Sequence, residues 1–372
     1  MHRILFIFGT RPEAIKLCPV VLHMKRHSEE FDARVCVTGQ HREMLDQVLA
    51  AFNVHADYDL NVMLPGQTLF QSTARILSGM EPVLDAEKPD MILVQGDTTT
   101  TLCGALAAFY KRIPVGHVEA GLRTFDIYQP FPEEMNRLLA TRLASLHFAA
   151  TEGAARNLRA EGVREDRIAV TGNTGIDAVM HVRDGLENGR LKGGDWRQLD
   201  PQRKLIVTTA HRRESFGEGF EEIAHALADL ASRPDVQIVY PVHPNPNVRK
   251  PVKRILGKCT NVFLIPPLDY VPFVDLMRRA YLLLTDSGGV QEEAPSLGKP
   301  VLVLRDKTER PEAVQAGTVK LVGPHRERIV EEAARLLDNP ELCLAMSRVH
   351  NPYGDGQASP RIAQLIHSFL TK

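Results

Sequence analysis

The chain has 372 residues, too many for one ordinary hydrophobic core, so two domains of about equal size are expected. With 45 Lys and Arg against 46 Asp and Glu the net charge is −1, which gives no electrostatic case for a nucleic acid or an acidic membrane surface as partner. The five cysteines, Cys18, Cys36, Cys103, Cys259 and Cys343, are odd in number and form no Cys-x-x-Cys pair, so neither a disulfide framework nor a zinc knuckle is indicated and a cytoplasmic location is expected.

In chain order, MHRILFIFGT runs straight into a Gly turn and is too brief for a signal segment or a spanning helix, so it reads as the first strand. Apolar, β-branched runs then recur between amphipathic stretches: Arg3–Phe8, Arg34–Val37, Met91–Val94, Val115–Val118, Leu146–Ala149 and Ile168–Val170. That alternation predicts βαβ units and a parallel sheet. The stretch Arg183–Arg203, rich in Gly, Asp, Arg and Lys, reads as a linker. A second series follows at Leu205–Thr208, Gln237–Tyr240, Val262–Ile265, Leu282–Leu284, Pro300–Leu304 and Val319–Leu321. The expected architecture is α/β, with two Rossmann-like doubly wound domains facing a central cleft. The first covers 1–182 and the second 204–355, and a C-terminal helix in 356–372 is free to return to the first. Ligands in such sheets bind beyond the carboxyl ends of the strands, so the residues just past those ends are the candidates.

After the first strand, GTRPEAIK puts Arg11 and Lys16 at a helix start, where both cations could reach an anion or simply be solvated. No Gly-x-Gly-x-x-Gly is present, so a nicotinamide dinucleotide is not indicated and no cofactor or metal is expected. Asp97 ends a strand in VQGDTTTT, where it could also be a helix N-cap. Glu119 ends the next in HVEAGLRT, and Glu133 and Glu134 open a helix behind Pro132, where acids also suit the helix dipole. His211, Arg212 and Arg213 emerge from the first strand of the second domain. A common catalytic role for Asp97, Glu119, Glu133 and His211 explains their shared placement better than capping does. Further on, TDSGGVQEE ends a strand in Ser287, Gly288 and Gly289, whose amides and following helix suit a pyrophosphate, with Glu293 placed for a ribose diol. An ordinary turn with a Ser cap has the same local pattern.

A nucleotide sugar with several carboxylates leaves glycosyl transfer or rearrangement of the sugar. Inverting a stereocentre needs acid/base groups on both faces, which the acid count favours. At C2 of a hexosamine the hydrogen is unactivated, so the anomeric diphosphate must leave first, giving a glycal. Re-addition then yields the 2-epimer, with Arg11, Lys16 and the Ser287–Gly289 amides stabilising the departing diphosphate.

The strings FGTRPEAIK, CVTGQHREMLDQVL, GDTTTT, GHVEAGLRT, PFPEEMNR, VTGNTGID, TAHRRESFG, YPVHPNPNVR, LTDSGGVQEEAPSLGKPVLVLRD, TERPEA and NPYGDGQAS together resemble the non-hydrolysing UDP-N-acetylglucosamine 2-epimerases, over nearly the whole chain. The resemblance implies a glycosyltransferase-B-like fold, a homodimer, interconversion of UDP-GlcNAc and UDP-ManNAc, and supply of ManNAc units for bacterial surface polysaccharide. It also implies Asp97, Glu119, Glu133 and His211 as the catalytic group, and Arg11, Lys16, Phe273 (against the uracil), Ser287, Gly288, Gly289, Glu293 and Arg310 as the substrate shell. Leu268 stands where some members carry a Gln that contacts substrate. Gln40, His41, Arg212 and His243 match part of a shell that binds a second UDP-GlcNAc as activator, whereas Glu43 and Gly66 do not match. Three alternatives remain: a relative acting on another UDP-2-acetamido sugar, a glycosyltransferase, or a UDP-sugar sensor without catalysis.

Overall fold

Strands β1 (His2–Phe8), β2 (Phe31–Val37), β3 (Tyr58–Asp59), β4 (Met91–Gln95), β5 (Val115–Ala120), β6 (Leu146–Ala149) and β7 (Ile168–Val170) form one parallel sheet in the order β3-β2-β1-β4-β5-β6-β7. A second parallel sheet, in the order β10-β9-β8-β11-β12-β13, contains β8 (Lys204–Thr209), β9 (Val236–Pro241), β10 (Val262–Ile265), β11 (Leu282–Thr285), β12 (Val301–Val303) and β13 (Val319–Leu321). The computed structural model describes residues 1–39, 42–64 and 66–372, and the side chains of 42 and 43 are not described. Gln40 and His41 therefore lie outside the described residues, as does the side chain of Glu43.

The strands read as apolar runs because helices cover both faces of a parallel sheet. Ile4, Leu5, Phe6, Ile7 and Phe8 of β1 are all fully buried. The helix Glu218–Ala231 answers with a stripe of Phe220, Ile223, Leu227 and Leu230, at helical spacing, against Ile206, Ile238 and Leu284 of the second sheet. Two differences from the expected elements are short. β3 adds a two-residue edge strand beside β2, and β12 lacks Pro300, which has no N–H for a ladder.

The chain divides into two units, Met1–Ala178 with Tyr353–Lys372, and Val179–Pro352. The helix Thr174–Glu187 carries the chain from the first to the second. The stretch 183–203 thus begins inside that helix, and its later part is tied down within the second unit. The buried Asp275 carboxylate accepts from the Gly194 N–H at 3.2 Å and from Trp196 Nε1 at 2.8 Å. The C-terminal helix Ala358–Leu370 lies in the first unit against the helix Arg11–Arg26. The Asp177 carboxylate accepts its Ala358 and Ser359 amides at 3.2 and 2.7 Å. Among the described residues no helix is long and apolar enough to cross a membrane.

In each sheet the strand order reverses once, between β1 and β4 and between β8 and β11. A doubly wound sheet opens a crevice at such a switch point, and Arg11, Lys16, Asp97, His211 and Ser287–Gly289 follow these four strands, while Glu119 lies at the end of β5 and Phe273 and Arg310 follow β10 and β12.

Candidate active site

In the first unit, β5 bulges where its pairing with β6 shifts between Val118 and Ala120, and Glu119 sits there at φ +62°. The left-handed region costs an L-residue roughly 1–2 kcal/mol, and a bulge re-aims a side chain. Here the carboxylate is aimed between Lys16 Nζ and Gln95 Nε2, which both donate to it. The Glu119 side chain is only 9% exposed, so these two donors replace most of the water it would otherwise keep.

Asp97 lies two residues past β4. It does not cap the next helix, because Thr98 takes that place and accepts the Thr101 amide at 3.1 Å. The Asp97 carboxylate instead meets Arg137 Nη2, while Asn136 Nδ2 donates to the Asp97 carbonyl at 2.9 Å. Both partners come from the helix Glu133–Leu143. That helix separates its two leading acids. Glu134, 1% exposed, accepts the amides of Thr124 and Phe125 at 3.1 and 3.2 Å and pairs with Arg137 Nη1 at 3.1 Å, a structural assignment. Glu133 Oε2 is buried and has no hydrogen-bond partner among the described residues. A buried carboxylate oxygen without a donor carries a desolvation cost that a substrate hydroxyl would relieve.

Below this group lie two buried ionisable residues. Glu13 accepts from the Gly9 and Thr10 amides at 3.0 and 2.7 Å and from Thr98 Oγ1 at 2.7 Å, joining the turns after β1 and β4. Burial pushes its carboxyl above the usual range, against those bonds. His117 Nε2 lies 2.7 Å from the Gly96 carbonyl, and burial pulls its pKa down to about 3, so it is a neutral donor supporting the β4 turn. Lys16 and Arg11 come from the helix after β1, and Arg11 is its half-buried first residue.

In the second unit the organising group is Asp286, fully buried just beyond β11. Its Oδ2 accepts the amides of His211 and Arg212 at 2.6 and 2.7 Å, and its Oδ1 lies 3.3 Å from His211 Nδ1. Burial lowers the His211 pKa and the Asp286 charge opposes that shift. The His211 ring stacks on His243 with centroids 5.8 Å apart and planes at 18°.

Ser287 spends its amide on Thr285 Oγ1 at 2.9 Å, so its expected place in the anion cradle is taken. The Gly288 and Gly289 amides stand in the first turn of the helix Gly288–Glu293, where no intrahelical acceptor exists. The Arg310 guanidinium lies over Gly288, where an added Cβ would come within 2.6 Å of Nη1, and Arg310 Nε donates to the buried Glu292 at 2.7 Å. Glu293 ends the helix, with its Oε1 3.8 Å from a Cβ built on Gly289. Phe273, half-buried in the helix Tyr270–Arg279, and Leu268, half-buried in the segment before it, belong to this unit. The first unit thus holds a set of fixed carboxylates with two cations, and the second a cationic turn with glycine amides and a histidine.

Gln95, Arg137, Asp286 and Glu292 were not anticipated from sequence. Their partners lie 18 to 75 positions away, and only the folded sheets bring them together. Glu13 did carry a signal, the Thr-x-x-Glu spacing of a capping box at Thr10.

Known proteins resemble this chain over nearly its whole length. A family model for UDP-N-acetylglucosamine 2-epimerase matches residues 23–367. The UDP-N-acetylglucosamine 2-epimerase of Escherichia coli strain K12 is 60% identical over 369 residues, 98% of each chain. A crystal structure of UDP-GlcNAc 2-epimerase from Neisseria meningitidis bound to UDP-GlcNAc superposes with a TM-score of 0.89 at 50% identity, covering 100% of both chains. The Methanocaldococcus jannaschii enzyme, crystallised with UDP-GlcNAc and UDP, matches at 34% identity and TM-score 0.78 over 98% of this chain and 99% of its own. These likenesses place the two Rossmann-like units in the glycosyltransferase-B-like fold, and the chain belongs to the non-hydrolysing UDP-N-acetylglucosamine 2-epimerase family of isomerases.

Proposed function

We propose that the protein interconverts UDP-GlcNAc and UDP-ManNAc by eliminating UDP and adding it back. The observation that carries this reading is the acid set of the first unit: Glu119 held by Lys16 and Gln95, Asp97 held by Arg137, and Glu133 with a buried oxygen that has no partner among the described residues. A binding protein gains nothing from three fixed carboxylates, whereas proton removal and return at one carbon needs at least two.

In the elimination the C1–O bond breaks and its electron pair leaves on the β-phosphate oxygen. A carboxylate takes the C2 proton, and the products are UDP and 2-acetamidoglucal. In the return step a proton reaches the other face of C2 and the diphosphate oxygen bonds C1, so atoms and charge balance and no redox partner is consumed. The Gly288 and Gly289 amides with Arg310 stabilise the diphosphate, as do Arg11 and Lys16, and Phe273 lies against the uracil with Glu293 on the ribose. His211, held by Asp286, contributes to binding and proton transfer.

The same reading takes the enzyme as a cytoplasmic homodimer supplying ManNAc units for surface polysaccharide. Exposed Phe70, Phe109, Tyr110 and Leu139, on the helices Leu69–Glu87, Thr99–Tyr110 and Glu133–Leu143, the middle one packed against each of the others, support self-association and would be checked by analytical ultracentrifugation. Activation by a second UDP-GlcNAc through Arg212 and His243 predicts a lag when the reaction starts from pure UDP-ManNAc.

Proton NMR with UDP-GlcNAc in D2O tests the central claim. Appearance of UDP-ManNAc deuterated at C2 supports it. No epimer and no exchange, from folded protein that binds UDP, would move the assignment to another UDP-hexosamine or to a transferase awaiting its acceptor.

A further inference from the structure

Arg305, two residues past β12, is 7% exposed and faces two carboxylates. Its Nε meets Glu214 Oε1, Nη1 lies 2.7 Å from Glu309 Oε2, and Nη2 is shared between Glu309 Oε1 at 3.1 Å and Glu214 Oε2 at 3.4 Å. Glu214 belongs to the turn Arg213–Ser215, three residues after His211, and Glu309 immediately precedes Arg310. β8 and β12 are not neighbours, because β11 lies between them. The ion pair therefore joins the two loops that flank the turn Asp286–Gly289 at the end of β11.

We propose that Arg305 is a positioning residue for the epimerisation, holding the His211–Arg212 loop and the Arg310 loop in one arrangement around that turn. The proposal rests on the substrate reading above. The guanidinium is required because a planar fork can serve two carboxylates at fixed angles, which an ammonium cannot. Glu214 and Glu309 are each about half exposed, and pairs between exposed partners contribute little. Here the cation itself is buried, so losing either acid leaves part of its fork without an acceptor and releases one loop from the other. Two nearer bonds make the second loop responsive: Thr308 Oγ1 lies 2.8 Å from Gln291 Oε1 of the Gly288–Glu293 helix, and the Arg310 amide donates back to Thr308 Oγ1 at 3.2 Å.

The test compares wild type with Arg305→Lys, Arg305→Ala, Glu214→Gln and Glu309→Gln, measuring UDP affinity by calorimetry, kcat and KM with UDP-GlcNAc, and hydrogen–deuterium exchange by mass spectrometry. In Arg305→Lys, UDP affinity should fall about ten- to a hundredfold with faster exchange confined to 211–216 and 306–311, and each Glu→Gln change should give a part of that effect. Guanidinium ion added to Arg305→Ala should restore UDP affinity, and the same addition should leave wild type unchanged. Unaltered exchange in both segments, or unaltered UDP affinity in a folded variant, overturns the proposal. If the Arg305 variants do not fold, the two Glu→Gln variants decide it by the same readouts. Wild-type protein that binds UDP without epimerising would sink the functional reading, while the exchange and UDP data would still judge Arg305.

Discussion

Lys16 Nζ donates to Glu119 Oε1, so a cation from the first helix is fixed on a carboxylate 103 positions later in the chain. The pair does two things at once. It compensates a carboxylate forced into the left-handed region at a bulge, and it keeps the Lys16 charge at the end of the sheet where a departing diphosphate would need it.

Lys16→Met removes the cation from a carboxylate that has little solvent to replace it, a change that typically costs about 3–5 kcal/mol. The expected outcome is a melting temperature lowered by several degrees and kcat/KM reduced at least about a hundredfold, measured by calorimetry and steady-state kinetics. Turnover within a factor of two of wild type would remove Lys16 from the site.

The neighbours Glu133 and Glu134 should separate activity from stability. Glu133→Gln, like Asp97→Asn and Glu119→Gln, is expected to lower turnover by about two to four orders of magnitude while UDP binding persists. Glu134→Ala leaves two backbone amides and Arg137 Nη1 without their acceptor in a buried place, so its main effect is a loss of roughly 2–4 kcal/mol of stability. Urea unfolding paired with kinetics distinguishes the two, and the reverse pattern would overturn both assignments.

His117 gives stability a pH dependence of known sign. Its folded pKa is about 3 against an ordinary 6.5, so between those values the unfolded chain binds a proton that the folded one refuses. Stability contributed by this residue is therefore complete above about pH 6.5 and is lost as pH falls toward 3, with a slope of at most about 1.4 kcal/mol per pH unit. His117→Gln keeps a neutral donor and removes the titration. Its unfolding free energy should fall less steeply than wild type's from pH 6.5 to 4, and parallel curves would refute the assignment.

Much of this frame was legible in advance, because strands buried on both faces are uninterrupted apolar runs and the candidate acids and glycine turns are written at or just past their ends. What could not be read were choices that depend on distant atoms. Asp97 and Thr98 are both acceptable caps, and Thr98 wins because its hydroxyl also donates to the Glu13 carboxylate, leaving Asp97 to Arg137. Glu119 carries no local sign of its positive φ, since Glu has no special tolerance for that region. β3 is two residues long, too short for any period, and exists through its pairing with Cys36 and Val37. The stretch 183–203 looked like a linker because the bonds from Gly194 and Trp196 to Asp275, rather than an apolar stripe, hold its later part.

Gly288 makes room for Arg310. A Cβ there would come within 2.6 Å of Arg310 Nη1, and the guanidinium, at the free end of a long side chain, would yield before the backbone did. Gly288→Ala is thus expected to displace Arg310 from Glu292, weaken UDP binding about tenfold, and shift the melting temperature by no more than a few degrees. Calorimetric titration with UDP checks it, and unchanged affinity would mean that Arg310 does not serve the diphosphate.

Asp275 holds the later part of the stretch 183–203 on the helix that carries Phe273, and the chain's single tryptophan reports on it. The buried carboxylate accepts Trp196 Nε1 at 2.8 Å and the Gly194 amide at 3.2 Å, and it pairs with Arg278 and Arg279 at 3.2 and 3.1 Å. An added Cβ at Gly193 would stand 2.6 Å from Asp275 Cγ, so this approach also requires glycine. Asp275→Ala removes the acceptor of the Gly194 amide and the indole N–H and a partner of two partly exposed arginines, a loss of about 2–3 kcal/mol with exposure of Trp196. The emission maximum should move to longer wavelength before the main thermal transition, as the segment detaches ahead of global unfolding. Because Phe273 lies two residues before Asp275 on the same helix, UDP affinity should fall while UMP and UDP retain their ratio of affinities, since the diphosphate contacts are elsewhere. An emission spectrum identical to wild type up to the melting temperature would show that other contacts hold the segment.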